Sequence, residues 1–450
     1  MEKRGNFSGS IGFVIAAAGS AVGLGNIWRF PYLAAKYGGG IFLLVYVILV
    51  LSFGYTLMLS ENAIGRSTGK GPLAAFAELN KKWAFLGVLL TVIPCIILPY
   101  YNVIGGWVIK YAFEYLRGSH SLLAQGNYFS DMISNPVQLL ICQIIFSVMT
   151  IFVILRGVEH GIEKYSKILM PMLIILALAI SVYSVSLPGA LAGVKYFFIP
   201  NFKNFSLSGV VAALGQMFYS LSLAMGIMIS YGSYLPKNAD MDKSVKQIEI
   251  FDTIVAVLAG LMIIPSVFAF SGGDSAALKS GPGLMFITLP QVFEKMGFST
   301  LIGSLFFLLV LFAALTSSIS IMEAIVSSIT DTFKLSRTSA TIFVGIYSIV
   351  IGVFPALGYS VLSNVKIFGF DILDFMDFIT NNILMPVSAL LTCIFVAYVI
   401  GIGFIKKEVQ LSGKFGREKI YNVMIKYIAP VLLVVILISS ILNGLNIITI

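Results

Sequence analysis

Between Gly19 and Pro31 an apolar stretch is interrupted by three glycines, an amide and a cation: Gly19-Ser20-Ala21-Val22-Gly23-Leu24-Gly25-Asn26-Ile27-Trp28-Arg29-Phe30-Pro31. An ionisable group at the centre of a bilayer costs about 2.5–3.5 kcal/mol on insertion scales, so such groups usually face a cavity and act there. Each glycine weakens a helix by roughly 0.8–1 kcal/mol relative to alanine. A helix that breaks inside a membrane exposes carbonyls and amides. These are tolerated only where protein, water or an ion satisfies them. The stretch therefore reads as a binding site made of unwound backbone.

A second interruption follows some 200 residues later, where Gln216-Met217-Phe218-Tyr219-Ser220-Leu221-Ser222-Leu223-Ala224-Met225-Gly226 places serines and a glycine in another apolar run. Thr316-Ser317-Ser318 forms a third polar patch. Taken alone, hydroxyls in a helix bond their own i−4 carbonyls. The two histidines, His120 and His160, read as loop residues without metal-ligand spacing, and Cys95, Cys142 and Cys393 fall in apolar runs. No nucleotide-binding loop, nucleophile–base pair or metal cluster is recognisable, so the expectation is a protein that is not an enzyme.

The elements that must position these residues are membrane spans. Of the 450 residues 58% are hydrophobic and 11% charged, against roughly 25% charged in soluble domains. Mean hydropathy is +0.97. The expected fold class is an all-α integral membrane protein, since the apolar runs far exceed the roughly 9–11 residues of a barrel strand. Eleven candidate spans follow: Ser8–Tyr37, Gly40–Ile64, Ala84–Leu116, Val137–Leu155, Ile162–Leu187, Leu207–Leu235, Ile248–Phe270, Ser299–Phe333, Thr341–Phe354, Phe368–Ile405 and Val423–Leu442. Interruptions at spans one and six, which open two five-span halves, point to a transporter with inverted repeats. The expected division is 8–187, 207–405 and an additional helix at 423–442, all within one domain. The loop around Gly281-Pro282-Gly283, followed by Leu284-Met285-Phe286-Ile287, suggests a segment that dips back into the protein.

The net charge of +9 fits the positive-inside rule better than nucleic-acid binding. An N-terminus in the cytoplasm places Arg66, Lys81, Lys82, Arg156, Lys164, Lys237, Arg337 and Lys406 inside. An odd span count then places the C-terminus outside a cell (inner or plasma) membrane, with lipid around the chain.

These residues together resemble one family, the neurotransmitter:sodium symporters, in their bacterial amino-acid-transporter branch with eleven spans. The carriers are Gly19–Pro31, Glu61, Tyr100-Tyr101, Trp107, Gly161–Pro171, Gly215–Gly226, Ala313–Met322 and Leu373–Phe378. The resemblance implies spans one and six unwound at the midplane, with two sodium sites. The first would use the Ala21 carbonyl, Asn26, Ser220 and Asp252. The second would use the carbonyls of Gly19, Val22 and Ala313 with Thr316 and Ser317. Oxygen ligands suit a hard cation. Many relatives carry asparagine where this chain has Asp252. Tyr46, Gln216 and Ser220 match the family's chloride site, but Ala256 stands where serine or glutamate is expected. A fixed charge on Asp252 would make chloride unnecessary.

Monoamine transporters carry an aspartate at the position of Gly23, so a glycine there implies a substrate with its own carboxylate. That group would meet the Leu24 and Gly25 amides, Tyr101 and sodium. The ammonium would meet Ala21, Tyr219 and Ser222, with Ser20 and Ser220 also among the substrate-binding residues, and Ile97, Tyr219, Met225, Ser317 and Ile321 would surround the side chain. Met225, in place of a phenylalanine, favours larger aliphatic or aromatic substrates. The resemblance also implies gates. Arg29 with Asp377 would close the outside, and Arg4 with Asp331, supported by Tyr234, the inside. Glu61 would brace the unwound first helix, and unwinding between Gly161 and Pro171 would open a water path to the second sodium site. The expected function is sodium-coupled import of a neutral hydrophobic L-amino acid by alternating access, as a monomer or homodimer. The alternatives are a non-transporting amino-acid sensor or an ion channel on the same fold.

Overall fold

A helix that is apolar on every face has no polar side to offer water, so long helices of that kind segregate into a bilayer or a large core. The computed structural model describes residues 5–271 and 282–444. Among these, nine helices are long and apolar enough to cross a membrane, ten if a bent pair at the N-terminus counts as one. Described residues outside helices form turns and isolated bridges.

The bent pair is the first expected span. Ser10–Ala21 and Gly25–Lys36 meet at 53° across residues 22–24. The sixth expected span is likewise two helices, Leu207–Ser220 and Ile227–Ser233, each too short to cross about 30 Å alone. Helices stand at all eleven expected positions. Two coincide with the expected bounds, Ala84–Leu116 and Ser299–Phe333. The others shift at their ends. The ninth lengthens to Arg337–Leu357. The tenth stops at Ile400, before Gly401 at φ +80°, and a separate helix Ile402–Gln410 follows. His160 is not in a loop: it lies in wide turns, Val158–Glu163, that begin the fifth span. The segment expected to dip back into the protein is described from residue 282 onward, where Leu284–Glu294 is helical with Leu284, Met285 and Phe286 buried.

Burial sorts the spans into a centre and a rim. The eighth is the most enclosed and packs along the third. The fourth, fifth and eleventh present Ile144, Val148, Ile175, Val182 and Val431 outward, as lipid-facing helices do. The first helix packs on the seventh and eighth spans, which brings the two interruptions and the eighth-span hydroxyls to one place.

Candidate functional site

Both interruptions have local causes. Glycine at positions 23 and 25 lets the first span turn while side chains close on it. A Cβ on Gly23 would stand 2.6 Å from Ser317 Oγ, and one on Gly25 would overlap the Tyr219 ring. In the sixth span the chain passes through left-handed backbone at Ser222, Ala224 and Gly226 (φ +53°, +61° and +75°). For an alanine that conformation costs about 1–2 kcal/mol. It persists because side chains hold it from two sides. Glu61 Oε1 accepts the Ala224 N–H at 2.8 Å, and Ser388 Oγ donates to the Ala224 carbonyl at 2.7 Å. Glu61 thus braces the sixth span, not the first as expected, because Ala224 presents the free amide within its reach.

A cavity of about 20 Å³, space for a water-sized occupant, lies between the breaks. Ser20, Ala21, Leu24, Gly25, Ile97, Tyr101, Tyr219, Ser222, Met225, Ser317 and Ile321 line it, joined by Gly23 and Asn26. Of the expected substrate contacts, Ser220 alone is not on the wall. Among the described residues, no Asp, Glu, Lys, Arg or His faces the cavity. Ser222 Oγ and Ser317 Oγ both donate to the Ser20 carbonyl, at 3.0 and 3.1 Å. The Tyr101 hydroxyl is buried beside Ser317 and the Leu24 backbone and makes no hydrogen bond of ordinary geometry. Such an atom is costly unless a ligand uses it.

Beside the cavity, which Ala21 lines, the three side chains expected at the first sodium site, Asn26, Ser220 and Asp252, converge. Asn26 Nδ2 donates to Asp252 Oδ1 at 2.8 Å, and Ser220 Oγ lies 2.5 Å from Asp252 Oδ1 and 3.1 Å from Asn26 Oδ1. Tyr46 Oη stands 2.7 Å from Asp252 Oδ2 and 2.9 Å from Ser220 Oγ. Gln216 Nε2 donates to the Gly25 carbonyl at 3.0 Å, and Ala256 is buried one turn beyond Asp252. The side chains of Asn26, Tyr46, Gln216, Ser220 and Asp252 all carry oxygen, and one is a carboxylate. The set fits a hard monovalent cation.

The second expected set is looser. Gly19 lies against Thr316, whose Cβ would be 3.5 Å from a Cβ on the glycine. Thr316 Oγ1 donates to the carbonyls of Phe312 and Ala313, both at 3.1 Å, which is the intrahelical habit of hydroxyls. Val22 closes the first half-helix with its N–H on Ala18 O at 2.8 Å.

The gate residues are placed as follows. Arg29 stands over the Tyr219 ring at 5.6 Å, and no ion pair joins it to Asp377. One oxygen of the Asp377 carboxylate, Oδ1, receives Tyr100 at 3.1 Å and Asn381 at 2.7 Å. Arg4 lies outside the described residues. Asp331 accepts the Gly71 N–H at 2.6 Å, and Tyr234 donates to Glu323 Oε1 at 2.6 Å.

Glu323 was absent from the expected set. It is fully buried and held bidentately by Arg337 at 2.9 and 2.6 Å. A carboxylate in an apolar span is itself a signal. Ser388 carried none, because serine in a helix is ordinary.

A model of the sodium:neurotransmitter symporter family matches residues 4–123 and 119–447. An uncharacterized sodium-dependent transporter of Bacillus subtilis, YhdH, is 37% identical over 447 residues, 98% of each chain. An uncharacterized sodium-dependent transporter of Haemophilus influenzae is 33% identical over 455 residues, again 98% of each. The crystal structure of MhsT in complex with L-phenylalanine superposes with a TM-score of 0.87 at 34% identity, covering 97% of this chain and 100% of that one.

Proposed function

Since the chain belongs to the sodium:neurotransmitter symporter family, and is thereby a multi-pass, sodium-dependent transporter and not an enzyme, we propose that its cargo is a neutral, hydrophobic L-amino acid imported together with sodium. The observation that carries this reading is the uncharged wall of the cavity. A cargo with a charged side chain would bury an unpaired ion there, at a cost of several kcal/mol. A zwitterion brings both of its charges to the polar end. Its carboxylate meets the Tyr101 hydroxyl and the amides that open the half-helix Gly25–Lys36, where unpaired N–H groups favour an anion. Its ammonium meets the Ala21 carbonyl and the hydroxyl of Ser222. Ile97, Met225 and Ile321 give the closed cavity an apolar end against which the side chain packs once the site opens to admit it, and methionine adapts to aromatic as well as aliphatic shapes. The phenylalanine bound to MhsT is consistent with this class.

Sodium is treated as a second substrate. The Asn26, Ser220 and Asp252 oxygens receive one ion next to the carboxylate of the cargo, so each stabilises the other. That coupling is reciprocal. Gly19, Val22, Ala313, Thr316 and Ser317 receive a second ion between the first and eighth spans. The Asp252 carboxylate stands where Tyr46 and Ser220 would otherwise face an anion, and this supports transport without chloride. The five-span halves 8–187 and 207–405, each opened by an interrupted helix, move as inverted repeats about the site. Arg29 and Asp377 close over it on the outer side, where Tyr219 already lies beneath the guanidinium. On the inner side Asp331 and Tyr234 act with Arg4. The N-terminus faces the cytoplasm.

Radiolabelled uptake into proteoliposomes tests the reading. An inward sodium gradient should drive accumulation of phenylalanine, leucine or a similar amino acid, and chloride replaced by gluconate should leave uptake unchanged. Absence of sodium-driven accumulation across all twenty amino acids refutes it.

A further inference from the structure

The first half-helix, Ser10–Ala21, begins without a side-chain cap from its own N-cap residue, Gly9. Just ahead of the helix, the polar groups of Ser8 are met from another span. The Ser8 N–H donates to Glu163 Oε2 at 2.8 Å, and the Ser8 hydroxyl donates to the other carboxylate oxygen. Glu163 is 1% exposed and is tied on its outer side to Lys167 at 2.5 Å. A negative group at this end also complements the helix dipole. Gly12 provides the seat: a Cβ there would overlap the Glu163 carboxylate. Glu163 is also the last residue of the wide turns Val158–Glu163, entered through Gly157 at φ +85°. A register change of one residue in those turns swings a side chain by about 100° around the helix axis, which withdraws the carboxylate from Ser8.

We propose that Glu163 is a positioning residue, a latch by which the wide turn of the fifth span holds the first half-helix in place. Through it the carbonyls of Gly19 and Val22 stay aligned for sodium, and its withdrawal frees the half-helix to open the inner path. The inference rests on the transport reading above. Releasing the latch lowers the fraction of molecules competent to bind sodium, and apparent affinity falls by that fraction.

The test uses purified full-length protein and radiolabelled L-phenylalanine and L-leucine, with sodium titrated. Wild-type protein that binds neither probe in a sodium-dependent manner refutes the transport reading, independently of the latch. Given such binding, Glu163→Gln should raise the sodium concentration for half-maximal binding roughly tenfold or more, because a charge-assisted bond is lost. Affinity for the probe at saturating sodium should stay within about twofold, since no cavity contact changes. Gly12→Ala, which evicts the carboxylate, should shift the sodium midpoint in the same direction, and the double variant should add little. Glu163→Asp should recover part of the shift. A merely structural role would reduce the number of binding sites and leave the midpoint alone. An unchanged midpoint in both Glu163→Gln and Gly12→Ala overturns the latch, and if Glu163→Gln does not fold, Gly12→Ala decides alone.

Discussion

Tyr101→Phe removes one oxygen, and its effects on stability and on binding should carry opposite signs. In this structure the hydroxyl is buried and makes no hydrogen bond of ordinary geometry, so its loss breaks none. Deleting an unsatisfied buried polar group relieves about 1–3 kcal/mol, so the substrate-free variant should melt at the wild-type temperature or above. Binding should suffer. A hydrogen bond to a charged group is worth about 1.5–3 kcal/mol, which corresponds to a roughly 10- to 150-fold higher Kd for an amino acid. At a fixed concentration well above the wild-type Kd, the ligand should stabilise the variant by about 1.4–3 kcal/mol less. Thermal melts with and without saturating sodium and substrate, paired with equilibrium binding, measure both quantities on one preparation. A substrate-free melting temperature that falls would mean the hydroxyl has a structural partner. An unchanged Kd would remove Tyr101 from the carboxylate site, and either result refutes the reasoning.

Gly25→Ala drives a methyl group into the Tyr219 ring, so uptake should fall below a hundredth of wild type while the protein still folds; measurable high-affinity binding would contradict the close approach seen here. Ala224→Gly exchanges about 1–2 kcal/mol of left-handed strain for about 0.5–1 kcal/mol of added chain entropy, so the melting temperature should hold or rise slightly, and a clear drop would count against strain at that residue. Asp252→Asn removes the fixed charge beside Tyr46 and Ser220. Uptake by that variant should become chloride-dependent, and gluconate-insensitive uptake would show that the carboxylate is not the reason for chloride independence.

Two long apolar runs marked their own ends, since Ala84–Leu116 and Ser299–Phe333 are bounded by charges and glycines that read the same way in sequence and in space. The first break was legible because three glycines and an arginine have no place in a uniform span. The cavity wall was legible only through resemblance: Ile97, Met225 and Ile321 look like any core residues until the fold sets them opposite one another. What escaped was pairing over long separations. Nothing local to Glu163 points to Ser8, 155 positions away, and nothing local to Ser388 points to Ala224. Glu61 was singled out for its buried charge, yet its partner lies on the sixth span, because periodicity gives a helix its faces but not its neighbours. Arg29 was singled out by its charge alone, and its place over the Tyr219 ring was not legible, because an aromatic face that a guanidinium finds favourable leaves no mark in the sequence.

The bend at Ala224 is fastened by residues outside it, its amide by Glu61 and its carbonyl by Ser388. Residues 221–226 are thereby relieved of keeping their own shape, and Ser222 and Met225, which face the cavity, can be exchanged while the chain keeps its path. A descendant of this protein could acquire a new cargo by replacing two letters in a mount that its ancestors had already fixed.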